Sequence, residues 1–459
     1  MLFVGDIMAA HLYSALLLTL VRFALCNPDP LDAVFAPCDQ LKGAHSTNAR
    51  NGFAPGLYVV SSNLPGATIR KDGKLANRNI VCAHEDRLTS GGTVVIPWAA
   101  FDKRDANGRG SFDWGFVEQQ MAPWVARGQK VNLLVWPAVQ KEDQSFPAGQ
   151  SATPQYIIDQ PDLIFQCPDG TTQGTTSLGA LPLPKFWRAE VYTKYAQALR
   201  QFVARFEDNT NVNYFRFGIG VGAESYPANG ATTPNNFCVK TFIQLFPGPS
   251  NDARANTAFS EWSKYVAARI RAFRRFNSRK AIIVTLNDFR TKTFGQGPNK
   301  FPDMIAYEAT REYNGFPKLG LGVQGATTKD VDRWEQPQRA RCNANWCAIF
   351  NRNKDSGIPL QLQTPTHSGV YGPPGPGNPI AACQGSRNIG AQGCMSTGNM
   401  VKLISFALQW GVRSFELYPY EWFVANDKRF STNPELDFYD LFGEEYRAAL
   451  NSASNQRLA

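Results

Sequence analysis

Apolar positions along this chain change period repeatedly. Short apolar runs of strand length recur at Gly56–Val60, Thr93–Trp98, Lys130–Trp136, Tyr214–Gly222, Ala281–Asn287, Leu319–Gln324, Pro359–Gln363 and Ser414–Tyr418. Between several of them lie longer segments with helical apolar spacing: Phe112–Arg127, Phe186–Phe206, Phe259–Phe276 and Thr397–Trp410. Strands alternating with helices predict parallel βαβ units. Eight such units predict one closed (β/α)8 TIM barrel rather than an open sheet, and no G-x-G-x-x-G or G-x-x-x-x-G-K-[ST] phosphate loop argues for the open alternative. No internal repeat or second domain interrupts the pattern.

The segment from Phe215 to Pro227 is the most informative. Phe215, Phe217, Ile219 and Val221 alternate with Arg216, Gly218, Gly220, Gly222 and Glu224. This predicts a strand with an apolar outer face, an inner face cleared by glycines, and one carboxylate presented at its C-terminal end. That end of a barrel strand is where such folds keep their chemistry; the competing reading is a structural Glu that caps the following turn. By the same parity, Trp98, Trp136, Asn287, Gln324, Gln363, Glu416 and Tyr418 are expected at the other strand ends. Amides and carboxylates there would bond hydroxyls, and indole and phenol faces would stack on sugar rings.

Gln-, Pro-, Thr- and Gly-rich connections at 139–184, 225–256 and 365–396 follow strand C-termini, so they are expected to crowd the same face. They carry cysteines. Of nine in the chain, eight lie beyond residue 26, and an even number favours disulfides in an exported protein. Cys342 with Cys347 and Cys383 with Cys394 are each close enough for local pairing, which leaves Cys38 with Cys82 and Cys167 with Cys238. Four histidines, none at zinc-ligand spacing, give no metal motif, and no cofactor is expected. The apolar run Leu12–Val21, followed by Ala24-Leu-Cys26, predicts a secretory signal over 1–26, with the barrel domain occupying 27–459. That run is short for a membrane span, so no stable membrane insertion is expected.

The chain has 47 Lys and Arg against 38 Asp and Glu, a net charge of +9, and the basic residues are dispersed except for the run Arg269–Lys280. That run reads as a helix with a solvated basic face, which argues against nucleic-acid binding and leaves attraction to an acidic glycan open. No Gly-x-Ser-x-Gly is present, which removes one class of acyl-transfer nucleophile.

Four stretches carry a resemblance. Val95-Ile-Pro-Trp98 precedes Gly110-Ser-Phe-Asp-Trp114, Gly128-Gln-Lys-Val-Asn-Leu-Leu-Val-Trp136 follows, and Gly218-Ile-Gly-Val-Gly-Ala-Glu224 comes after the helix Tyr192–Phe206. Together they resemble the clan-A type of glycoside hydrolase barrels over roughly residues 55–425. The resemblance implies a secreted glycosidase acting on a polysaccharide or oligosaccharide, with Glu224 as general acid/base. Two positions depart from that pattern. Ala223 stands where Asn usually precedes the acid, and the seventh strand offers Gln361 and Gln363 where a nucleophilic Glu is expected. An amide can form no glycosyl ester. Glu416 is the candidate second carboxylate, suited by its place opposite Glu224 to an inverting base; it could equally be ion-paired with Arg216 or bind substrate. Asp288 is a further candidate base, and His367 a candidate substrate ligand. The alternative function is a catalytically degenerate barrel serving as a secreted carbohydrate-binding or extracellular-matrix protein.

Overall fold

The computed structural model describes residues 53–61, 68–69, 75–76, 89–139, 151–167, 181–228, 237–287, 300–312, 315, 319–324, 345–363, 403–404 and 407–417. Eight parallel strands close into a barrel: β1 (Gly56–Ser61), β2 (Thr89–Pro97), β3 (Lys130–Trp136), β4 (Val212–Phe217), β5 (Ala281–Leu286), β6 (Gly320–Val323), β7 (Leu360–Gln363) and β8 (Ser414–Leu417). Each pairs with its sequence neighbours, and β1 with β8 completes the ring. The expected TIM barrel is therefore the observed fold, and every strand lies where the apolar pattern placed it, within a few residues.

Helices α1 (Gly115–Val125), α2 (Ala189–Phe206), α3 (Phe237–Gln244), α4 (Asn251–Arg274), α5 (Lys300–Thr310) and α6 (Asn345–Asn353) are described around it. In α2, Val191, Tyr195, Ala198, Leu199, Phe202 and Phe206 are buried, the three-and-four spacing of one helix face. They meet the outward residues of the strands, among them Leu133, Val135, Phe215 and Phe217, in one continuous core. Helix α4 begins well before its predicted Phe259, because Ser250 caps it: Ser250 Oγ accepts from the Ala253 N–H at 3.2 Å. Helices α3, α5 and α6 had no sequence expectation; α3 and α6 are short, and α6 is rich in Asn. Among the described residues, no helix is long and apolar enough to cross a membrane.

Inside the barrel the residues are unusually polar. Thr93, Asn132, Asn213, Arg216, Thr285, Gln361, Gln363, Ser414 and Glu416 are all buried, where barrels of this kind normally stack Val, Ile and Leu. A register shift between β3 and β4 sets three steps of β4, Val212 to Phe215, against two of β3, Val131 to Leu133. This bulge points both Asn213 and Tyr214 inward. Asn213 Nδ2 then donates to Asn132 Oδ1 at 2.9 Å, and Asn132 Nδ2 donates to Thr93 Oγ1 at 2.9 Å.

One expected disulfide, Cys167–Cys238, is present and ties the segment before α2 to α3 across 71 residues. The side chains of the other paired candidates lie outside the described residues. A cross-link over that length restricts the unfolded chain, so Cys167→Ala/Cys238→Ala is expected to lose about 2–4 kcal/mol in denaturant unfolding. Unchanged stability would show the bridge to be dispensable.

Candidate active site

Glu224 is delivered by a tight loop, not by the end of a long strand. β4 stops at Phe217, and the predicted run to Gly222 instead folds back on itself. The Ile219 and Gly220 N–H groups both donate to the Glu224 carbonyl, at 3.1 and 2.8 Å. The glycines serve this fold-back rather than a hollow interior. A Cβ on Gly220 would lie 1.9 Å from the Tyr226 carbonyl oxygen, and Gly222 has φ +63°. Helical aromatics hold the loop from outside: Tyr195 Oη donates to Gly218 O at 2.9 Å, Tyr265 Oη to Ile219 O at 2.8 Å, and Trp262 Nε1 to Ser225 O at 2.9 Å.

Glu224 is a half-buried residue at the mouth of the barrel. Asn287 Nδ2 donates to its Oε2, while Asn287 Oδ1 accepts from the Ser225 N–H at 2.7 Å. Gln324, its amide nitrogen turned toward the carboxylate, lies 3.0 Å from Glu224 Oε2 and accepts from Arg216 Nη2 at 2.9 Å. Asn287 and Gln324, expected to bond sugar hydroxyls, thus first hold Glu224. Burial pushes the Glu224 carboxyl up to about 7, against a smaller downward pull from the Arg216 cation and the Asn287 hydrogen bond.

Arg216 is the hub beneath it. Its side chain is fully buried. Nε donates to Thr285 Oγ1 at 3.2 Å, and Nη1 donates to Gln363 Oε1 at 3.2 Å and to Glu416 Oε2 at 2.6 Å. Tyr214 Oη donates to the other Glu416 oxygen at 2.6 Å. Of the roles open to Glu416, the geometry therefore matches the ion pair: the carboxylate is wholly buried, with both oxygens engaged by inward neighbours. Tyr214, two residues before Arg216, shares its inward face by simple alternation, and the bulge adds Asn213 to that face.

Two aromatic expectations separate. Trp136, half-buried, packs on Val60, Val95, Leu134 and Ala223 beside the Glu224 loop. Trp98 points the other way. Register aligns Pro97, not Trp98, with Trp136, so Trp98 faces the helices. It is fully buried, donates from Nε1 to Asp102 Oδ2 at 2.8 Å, and packs on the Tyr195 ring at 4.8 Å between centroids. No sugar reaches it there. Tyr418, Asp288 and His367 lie outside the described residues. Among the described residues, no three His, Cys, Asp or Glu side chains come together as a metal site.

A raised carboxyl has a consequence for stability. Since the folded state favours protonated Glu224, its contribution is complete below about pH 4.5 and is lost as pH rises through about 7. Glu224→Gln is therefore expected to melt higher than wild type at pH 8, with the difference shrinking toward pH 5. Equal differences at both pH values would contradict a raised carboxyl.

The chain is thus a parallel eight-stranded barrel with Glu224 at its mouth. No protein-family model matches it, and no curated protein does. Among solved structures, it is similar to the catalytic domain of a β-amylase from Paenibacillus polymyxa, at 11% identity and TM-score 0.45, over 86% of this chain and 98% of that one. It is also similar to a β-galactosidase from Marinomonas ef1, at 10% identity and TM-score 0.41, over 88% of this chain and 59% of that one. A GH5-4 broad specificity endoglucanase from an uncultured bacterium aligns at 13% identity and TM-score 0.39, over 77% of this chain and 80% of that one.

Proposed function

We propose that this chain is a secreted glycoside hydrolase in which Glu224 donates the proton to the departing glycosidic oxygen. The observation that carries the reading is Glu224 itself: a carboxyl at the C-terminal mouth of a parallel barrel, oriented by Asn287 and Gln324 and raised to about 7. A general acid works best when its pKa lies near the working pH, and a carboxyl in this range keeps its proton for the leaving group. Trp136, beside the Glu224 loop, supplies an aromatic face for a sugar ring. Secretion is supported by the Leu12–Val21 run and by the Cys167–Cys238 bridge, a bond typical of oxidising compartments.

The second carboxylate follows by argument from Glu416. Committed to Arg216 and Tyr214, Glu416 serves as the counter-ion that neutralises Arg216, so Arg216 depresses Glu224 less than a lone cation would. Asp288, next in sequence to Asn287, is then the proposed water-activating base, and hydrolysis inverts the anomeric centre because β7 offers glutamines where an ester-forming carboxylate would stand. The test is release of reducing sugars from a panel of neutral and acidic polysaccharides, followed by NMR of the first anomeric product. Inverted product supports the reading. Retained configuration removes the inverting assignment, and binding without cleavage across the panel favours the degenerate, carbohydrate-binding alternative.

A further inference from the structure

The basic run Arg269–Lys280 is only in part the solvated face its sequence suggests: Arg275 and Arg279 are exposed. Arg269 and Arg274 are buried, and Arg271 pairs with Glu308 at 3.2 Å. Arg269 is the unusual member. Its guanidinium carbon lies 4.2, 4.9 and 5.4 Å from the ring centroids of Tyr192, Tyr195 and Tyr265. Nη2 donates to the Tyr192 carbonyl at 3.1 Å, and among the described residues no carboxylate pairs with it. A cation taken out of water without an anion is costly, and three aromatic faces are what hold it in place.

The hydroxyls of two of those rings are the ones that grip the Glu224 loop. Tyr195 donates to Gly218 O and Tyr265 to Ile219 O, and the next amides, of Ile219 and Gly220, donate to Glu224 O. Burial raises both phenols above their ordinary range, and the Arg269 cation offsets part of that rise, so each O–H donates more strongly than it would without the cation. Hydrogen bonds in series reinforce one another in a poorly solvated interior.

We infer that Arg269, through Tyr195 and Tyr265, is a positioning residue that fixes the Glu224 loop and keeps water from the Glu224 carboxyl. The inference rests on the reading of Glu224 as the proton donor only for its functional meaning; the positioning itself is structural. Arg269 touches neither Glu224 nor, by its place between α2 and α4, a substrate. Among the described residues, the groups that face Glu224 directly are Arg216 from β4 with its counter-ion Glu416 from β8, the amide of Asn287 after β5 and that of Gln324 after β6. None of these is altered by substitution at position 269, 195 or 265.

The test is an NMR titration of the full chain labelled with carboxyl-13C glutamate, Glu224 being assigned by the signal lost in Glu224→Gln. Wild type is expected to titrate at about 7. Tyr195→Phe/Tyr265→Phe, which removes two hydroxyls and keeps both rings, should lower the midpoint by about one unit as water reaches the carboxyl. Arg269→Met should lower it similarly, and Arg269→Lys should restore part of the shift. A residue that only packs α2 against α4 would lower the melting temperature and leave the midpoint unmoved. An unchanged or raised midpoint in the folded Phe double variant overturns the inference, and that variant decides the matter if Arg269→Met does not fold. A fallen midpoint in a protein that cleaves no polysaccharide would leave the positioning intact and sink the proposed activity. The reverse pattern, an unmoved midpoint with turnover lost in Glu224→Gln, would do the opposite.

Discussion

Glu224→Gln is expected to remove turnover by a factor of about 10²–10⁴, the range that a positioned proton donor supplies. The substitution keeps size and hydrogen-bonding reach, so Asn287 and Gln324 retain a partner and the loop retains its backbone bonds. What disappears is the transferable proton. Substrate affinity should therefore change little while kcat collapses, since the interaction lost is made in the transition state. The measurement is kcat and KM on whichever polysaccharide the panel identifies. A variant with unchanged kcat would mean that another group protonates the leaving oxygen.

Arg216→Met should have the largest effect on stability. It strips the cation from a wholly buried pair and leaves the Glu416 carboxylate buried without its counter-charge, while Thr285, Gln363 and Gln324 each lose a donor. Breaking a buried pair from one side typically costs about 3–5 kcal/mol, because the remaining charge stays desolvated. That is a large part of the stability of an ordinary domain, about 5–15 kcal/mol. Arg216→Met/Glu416→Leu, which removes both charges, should recover much of the loss. Equilibrium unfolding in denaturant checks both variants, and a single-variant loss below about 1 kcal/mol would place the pair among weak surface bridges.

The sequence was legible wherever period and residue type acted locally. Eight strand positions, the α2 face and the inward Arg216 all follow from periodicity that any short window contains, whereas Glu224 reaches the mouth by a fold-back that alternation does not describe. Failures came where a long-range or one-residue event intervened. Trp98 was placed inward by strand parity, but register matches Pro97 with Trp136 and turns Trp98 toward Tyr195. Asn213 was hidden by the bulge opposite Asn132, which turns it inward against the parity of Phe215. The glycines after Phe217 suggested an empty inner face, whereas the backbone uses them to approach itself. Arg269 looked solvated because helical spacing says nothing about three tyrosines contributed by two different helices.

The account's central claim is that a protonated Glu224 does the chemistry, and the pH dependence of kcat/KM tests it most directly. A general acid is active only while it holds its proton, and Glu224 loses that proton through about pH 7. The account predicts a rate that falls as pH rises through that value, with a midpoint matching the Glu224 carboxyl titration and absent from the residual activity of Glu224→Gln. A rate that is flat or still rising through pH 7, or a falling limb that survives in Glu224→Gln, would contradict it.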